Sequence, residues 1–135
     1  MATTTATITL SSSDLLSDEL SLATTCTLTE AGNSTGLIST SGLGRKTTAS
    51  ASQYTLFAAA DYTDDKAHKV YLKNTETAAG LYFLISIHDV EVGRIYAGDW
   101  ALIPWSADTT GDNTDFKITP SSSASHTLEY MLFAE

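Results

Sequence analysis

The side chains that could do acid–base or metal chemistry are scattered along this sequence. The three histidines, His68, His88 and His126, form no H-x-H or H-x-x-H pair with the spacing of metal ligands. His88 is followed by Asp89 and serines are abundant, but the chain lacks the G-x-S-x-G motif that presents a nucleophilic serine. The residues therefore predict no catalytic site, no metal centre and no cofactor.

Acidic and amide side chains crowd one segment, residues 107–115, which have the sequence ADTTGDNTD. Carboxylates around a glycine turn are what calcium requires, but the spacing does not match the twelve-residue calcium loop, and no glutamate stands at its last position. Aspartate and asparagine also favour turns, because they hydrogen-bond their own backbone. The sequence favours a solvated turn and leaves open whether the loop from Asp108 to Asp115 binds a cation.

The composition limits the partners of this chain. Its 135 residues predict one domain, residues 1–135. The formal net charge is −9, and the seven basic residues form no cluster beyond Arg45-Lys46. Because phosphate backbones and anionic lipids repel such a protein, we expect no nucleic-acid and no membrane partner. The N-terminal segment lacks the charged and apolar regions of a signal peptide, which predicts a chain made in a cytoplasm and not secreted by this route.

The elements that must position these residues are short alternating segments separated by turns. Threonine (22 residues) suits the solvent face of a strand, serine (16 residues) suits turns, and no helical period persists. The pattern predicts an all-β fold, a single antiparallel β-sandwich or jelly-roll-like domain of about eight or nine short strands. Residues 37–52 are compatible with a loop, a bulged edge strand or an arm. The predicted strands span residues 5–10, 20–29, 54–59, 68–74, 81–92, 100–105, 116–119 and 127–133.

The two halves of the chain distribute apolar side chains differently. The N-terminal strands are apolar on one face only, and Cys26 falls on that face, so we expect it to be buried. The C-terminal strands are apolar on both faces, and Trp100 and Trp105 point to opposite sides of one strand. The second face needs a cover, either the chain's own N-terminal segment and loops or another protein chain. We predict that this second face, which contacts a protomer or a partner, contains Ile103, Trp105, Met131 and Phe133.

Two segments carry a resemblance to known proteins. The C-terminal third, GDWALIPWSADTTGDNTDFKITPSSSASHTLEY, combines a Gly-Asp turn, an apolar strand ending in proline, a polar loop, a short strand, a Ser/Ala turn and a closing strand. In this order of elements it resembles small structural proteins of tailed bacteriophages. The opening MATTTATITLSSSDLLSDELSL is similar to virion proteins of marine phages, especially those that infect cyanobacteria.

The resemblance implies a capsid decoration, or cement, protein. Such proteins are small, β-rich and often trimeric, and they bind the outside of a phage head between capsomers, commonly through an N-terminal arm. For this chain it implies a non-enzymatic virion protein, made in the host cytoplasm, that binds the major capsid protein as a homotrimer and stabilises the head. Residues 1–5 suit an extended arm, with Thr3, Thr4 and Thr5 as contacts. The alternative is a tail or fibre module that binds a host receptor or a glycan through exposed aromatic rings.

Overall fold

The computed structural model describes residues 3–15, 20–111 and 113–135, and these residues form an all-β protein, as the sequence predicts. The described part of the chain contains one 3₁₀ turn, Ala59–Asp61, and eleven strands. The strands are β1 (Thr5–Ser12), β2 (Leu20–Thr27), β3 (Ser39–Thr40), β4 (Gly44–Thr48), β5 (Tyr54–Phe57), β6 (His68–Asn74), β7 (Tyr82–Ile87), β8 (Val90–Tyr96), β9 (Trp100–Trp105), β10 (Phe116–Pro120) and β11 (His126–Ala134).

Strands β3 to β11 form two antiparallel sheets that enclose one core. The five-stranded sheet has the order β4-β11-β6-β9, and the short β3 continues β4 along the same edge of β11. The four-stranded sheet has the order β5-β10-β7-β8. From β4 onwards the chain passes back and forth between the two sheets, which is the arrangement of a jelly roll. The predicted β-sandwich is confirmed.

Strands β1 and β2 form a separate hairpin, and among the described residues they pair only with each other. The pairing runs without interruption from Thr5 opposite Thr27 to Ser12 opposite Leu20. Eight extended residues span about 26 Å, so this is a long projection for a small domain. Its base is fixed by a hydrogen bond of 2.9 Å from the backbone N–H of Leu28 to the carbonyl oxygen of residue 4. Nearly all of its residues beyond the base are exposed.

The described residues contain more strands than predicted, for two local reasons. The predicted strand 81–92 is divided by a tight turn at His88 and Asp89, whose φ angles are 50° and 57°. Two consecutive positive φ angles define the type I′ hairpin turn, which usually requires asparagine or glycine. Residues 37–52, which the sequence left open, supply the edge strands β3 and β4.

The core is built from alternate residues of both sheets, because successive side chains of a strand point to opposite faces. Leu72 and Leu128 of the five-stranded sheet are 0% exposed, as are Phe83 and Phe116 of the four-stranded sheet. Burying one such side chain contributes about 1.5–3 kcal/mol relative to leaving it in water. This shared apolar layer fixes the relative positions of the two sheets, and it thereby determines which side chains point outward.

Candidate interaction surface

The five-stranded sheet turns an apolar face away from the core. Directly opposite residues on neighbouring strands share a face, so the register defines three rows of side chains across this surface, which we call the outer face. The central row is entirely apolar or aromatic and consists of Met131, Tyr71 and Leu102. The two flanking rows mix apolar and charged groups and consist of Thr40, Phe133, Lys69 and Pro104 on one side, and Arg45, Glu129, Lys73 and Trp100 on the other.

The β1–β2 hairpin also has one apolar side. Its register places Ile8 opposite Thr24, and Leu10 opposite Leu22. Ile8 is 37% exposed, Leu10 is 50% exposed and Leu22 is 48% exposed, so the chain itself covers this side only in part. Cys26 lies on the same side and is exposed, so the prediction that it is buried is wrong. The alternation that suggested burial belongs to a hairpin that has no core of its own.

A cleft of about 420 Å³ separates the start of the hairpin from the outer face. Its walls are mainly apolar, and the exposed ring of Trp100 stands at its edge, with 54% of its surface accessible. Because the apolar walls leave this space unfilled, they lack the dispersion contacts that a packed core would provide. The lining residues are Thr4, Thr5, Ala6, Thr7, Ile8, Leu28, Leu43, Tyr71, Trp100, Leu102, Glu129, Met131 and Phe133.

The outer face is positively charged although the chain is acidic. Arg45 Nη2 lies 3.1 Å from Glu129 Oε2, so these two charges offset each other. Lys69 and Lys73 stand on either side of the central row and leave a surplus of two positive charges on a chain of net charge −9. The face is therefore suited to an acidic partner surface.

The structure brings several of the predicted contact residues together. Thr4, Thr5, Met131 and Phe133 all line the cleft. Thr3 precedes them and is exposed, and it is not among the lining residues. Of the predicted arm, residues 1–5, only Thr5 belongs to β1 and so to the projecting hairpin, and residues 1 and 2 lie outside the described part of the chain. The role of these residues as partner contacts stays a prediction.

Ile103 and Trp105 face the core, so their predicted place on the second face is wrong. Trp105 is 4% exposed, its ring lies 6.0 Å from that of Phe57, and its Nε1–H donates to the carbonyl oxygen of Thr114 at 2.7 Å. Ile103 packs partly buried against the same core. The tryptophan on the outer face is Trp100, at the other end of β9.

Tyr71, Trp100 and Leu102 are apolar or aromatic residues of the outer face that were not among the predicted contact residues. A signal was present in β6, where Lys69 and Lys73 flank Tyr71 at alternate positions and mark that side of the strand as outward. Using it requires the additional knowledge that β9 pairs with β6, which places Trp100 opposite Lys73.

Glu135 ties the base of the hairpin to the body of the domain. Its Oε1 accepts a hydrogen bond from Lys66 Nζ at 2.9 Å, and its Oε2 accepts the backbone N–H groups of Ala31 at 2.9 Å and Ala67 at 3.1 Å. Ala31 lies in the turn that follows β2, whereas residues 66 and 67 lead into β6. The hydrogen bonds from Lys66 and the two backbone groups lower the pKa of the Glu135 carboxyl from 4.5 to about 2.

Two histidines lie in the core. His68 is 1% exposed, and its Nδ1 accepts the backbone N–H of Glu135 at 3.3 Å. Burial lowers the pKa of His68 below its ordinary value of 6.5. His126 is 0% exposed, with Nδ1 2.6 Å from the carbonyl oxygen of Ala124 and Nε2 3.2 Å from Ser121 Oγ. These contacts engage both ring nitrogens of His126 and the Nδ1 of His68 within the core.

Asp108 and Asp115, the described carboxylates of the 107–115 loop, accept hydrogen bonds from the chain itself. Asp108 Oδ1 accepts the backbone N–H and the hydroxyl of Thr110, both at 2.9 Å, and these bonds lower the pKa of Asp108. Asp64 Oδ2 accepts a hydrogen bond from the hydroxyl of Thr109 at 2.9 Å. This bond connects the 107–115 loop to the segment that precedes β6. Position 112 lies outside the described residues. Among those described, no group of three or more histidine, cysteine, aspartate or glutamate side chains has the arrangement to hold a metal ion.

Comparison with known proteins gives no relative from which a function could be transferred. No protein-family model, curated protein or solved structure matches this chain. In residues 3–15, 20–111 and 113–135, no helix has the length and apolar character to cross a membrane. The function is therefore inferred from the surfaces of the molecule and from the resemblance noted in its sequence.

Proposed function

We propose that this chain is a non-enzymatic structural protein of a phage virion, a decoration or cement protein on the outer surface of the head. The observation that supports it is a second apolar surface, formed by the outer face and the apolar side of the hairpin, which the core of the domain does not use. Soluble monomers rarely expose contiguous apolar patches larger than a few hundred Å², and larger ones mark interaction sites. The phage head and its major capsid protein come from the sequence resemblance.

The stabilisation would work by mass action. A protein that binds the assembled shell but not the dissociated capsid subunits stabilises the shell in proportion to the logarithm of its concentration over the dissociation constant. The acidic charge of the chain, −9, favours solubility at the high concentration that many head sites require. Its two-layered core supplies the rigid support for a contact surface.

Head stabilisation predicts a measurable effect of one exposed side chain. We expect the wild-type chain, added to heads that lack it, to co-sediment with them and raise the temperature at which they release DNA. Trp100→Ser removes an exposed ring of the outer face and should weaken head binding by about tenfold or more, because buried aromatic anchors dominate interfaces.

The matched control is Val90→Ser, which changes an apolar residue that is 63% exposed on the other sheet. Its affinity for heads should stay within about twofold of wild type, since it lies away from the outer face. Heads without the chain that resist heat and low salt as well as decorated heads would contradict the proposed function.

A second candidate is a tail or fibre module that binds a glycan, and exposed aromatic rings favour it. Tyr82 and Tyr96 lie 5.3 Å apart on the four-stranded sheet, with the Arg94 guanidinium 4.9 Å from the Tyr82 ring, and Trp100 is exposed on the other sheet. Aromatic rings with a polar neighbour are common at binding surfaces. A glycan array without signal would rule out this second candidate. Specific sugar binding without head binding would favour it over the head decoration protein.

A further inference from the structure

His68 is a buried titratable side chain beside the attachment of the hairpin. It begins β6, and its ring lies 5.5 Å from that of Tyr62 and 5.4 Å from that of Trp105. Its Nδ1 contacts the backbone of Glu135, the residue whose carboxylate holds Ala31 at the base of the hairpin. Histidine is the side chain whose charge ordinarily changes near neutral pH, so a proton taken up here would act directly on this attachment.

The hydrogen bonds of this ring identify its neutral form. Nδ1 accepts the backbone N–H of Glu135 at 3.3 Å, so it carries no proton. The proton of the neutral ring is therefore on Nε2, and this buried atom makes no hydrogen bond with any described group. A buried polar atom without a partner is uncommon in folded proteins. Packing alone does not account for histidine here, because a phenylalanine ring would fill the space without leaving a donor unpaired.

Burial opposes a positive charge on this ring more strongly than its neighbours favour one. Glu135 and the backbone carbonyl of Thr63 favour the protonated ring, whereas Lys66 and Lys69 oppose it. The neighbouring Tyr62 hydroxyl has a pKa raised above 10.0, so it stays neutral at any pH at which an imidazole titrates. Because desolvation is the largest of these influences, the pKa of the imidazole lies below its ordinary value of 6.5.

We propose that His68 is a pH-sensitive switch for the hairpin, and that its protonation releases the base of the hairpin from the domain. A proton on Nδ1 would face the backbone N–H of Glu135, and two donors cannot bond to each other. Either the backbone of Glu135 withdraws from the ring, or its carboxylate turns to accept the new N–H. Both responses weaken the bonds of that carboxylate to Ala31 and Ala67. The switch is independent of what the hairpin binds, so it goes beyond the proposed function and does not depend on it.

The direction of the effect follows from the two states of the ring. In the attached state the pKa of His68 is lowered, and in the released state the ring regains its ordinary pKa of 6.5. The attachment is therefore tightest above pH 6.5, and it weakens below that pH until the attached ring itself takes up a proton. Release with uptake of one proton becomes more favourable by at most about tenfold per pH unit. This range lies above that of the Glu135 carboxyl, whose pKa moves from 4.5 to about 2, so the two groups can be told apart.

The test is amide hydrogen exchange of the full chain, followed by NMR between about pH 8 and about pH 5. After correction for the intrinsic exchange rate, the protection of the Ala31 and Ala67 amides should fall about tenfold or more as the pH decreases. The buried Ile118 in the four-stranded sheet reports unfolding of the whole domain, and its amide should stay better protected than that of Ala31 at every pH. The NMR signals of the ring nitrogens of His68 should show the proton on Nε2 at high pH, and protonation of Nδ1 should accompany the loss of protection.

Two variants separate the switch from a structural role of the ring. His68→Phe keeps an aromatic ring that cannot be protonated, so the protection of Ala31 should no longer depend on pH in this range. The matched control is His88→Asn, which removes an exposed imidazole at a φ of 50° that asparagine tolerates, and it should retain the wild-type dependence. Protection of Ala31 that is independent of pH in wild type would overturn the proposal, as would an equal fall in His68→Phe. It would also be overturned if Ala31 and Ile118 were equally protected at every pH, because the hairpin base would then be released only by global unfolding. If His68→Phe does not fold, the wild-type exchange and ring signals still decide.

Discussion

At the scale of single residues, Gly44 tests how tightly the edge of the five-stranded sheet is packed. A Cβ atom at this position would lie 2.8 Å from Cζ of Tyr130, whose ring packs 5.8 Å from that of Phe57. Gly44→Ala should therefore lower the free energy of unfolding by about 1–3 kcal/mol, as overpacked sites do. Gly93→Ala is the control, because nothing lies within 4 Å of its Cβ. Denaturant unfolding of both variants measures the difference, and equal stabilities would contradict the packing described for Tyr130.

The tryptophans show what alternation alone can predict about a residue. The five-residue spacing placed Trp100 and Trp105 on opposite faces, which is correct, but it could not say which face is the core. That choice depends on a distant partner, since β9 pairs with β6 and Trp105 stands opposite the buried His68. Pairing across 37 residues of sequence is not contained in the local pattern, so Trp105 was assigned to the wrong side.

At the scale of elements, the attachment of the hairpin to the domain should depend on pH. The Glu135 carboxyl has a pKa of about 2 in the folded protein and an ordinary value of 4.5, so its contribution to stability is complete above pH 4.5 and is lost as the pH falls towards 2. Glu135→Gln should lower the free energy of unfolding at neutral pH. It should also reduce the further decrease in that free energy between pH 4.5 and 2. Amide hydrogen exchange at Ala31 and Ala67, the donors to this carboxylate, should accelerate in the variant.

The control for Glu135 is Glu91→Gln, which removes the partner of Arg94 from an exposed pair at 3.2 Å. Exposed ion pairs contribute little, so the acid dependence should match that of wild type. An unchanged acid profile in the Glu135 variant would show that this carboxylate does not anchor the hairpin.

The hairpin also shows why an element can be predicted while its surroundings are not. The alternation in residues 5–10 and 20–29 predicted both strands, and the structure has them at Thr5–Ser12 and Leu20–Thr27. The same alternation arises whether the apolar side is covered by the chain's own core or left for another molecule. Cys26 was therefore expected in the core and is instead exposed.

At the scale of the whole molecule, the sandwich could be predicted because strand spacing and turn chemistry are local properties. The strand order could not, since it depends on pairs such as β4 with β11 and β5 with β10 that are far apart in sequence. The outer face is also a property of the whole molecule, because its rows combine residues from β4, β6, β9 and β11. Only Met131 and Phe133, on a single strand, could be assigned to it from the alternation in the sequence.

The most direct measurement for the proposed function is the position of this chain in the virus particle. A small tag on an exposed turn, such as the one at Gly98, would be located by electron microscopy of purified virions. The account predicts label in many copies over the outer surface of the head. Label confined to the tail or its tip, or virions without any label, would contradict it.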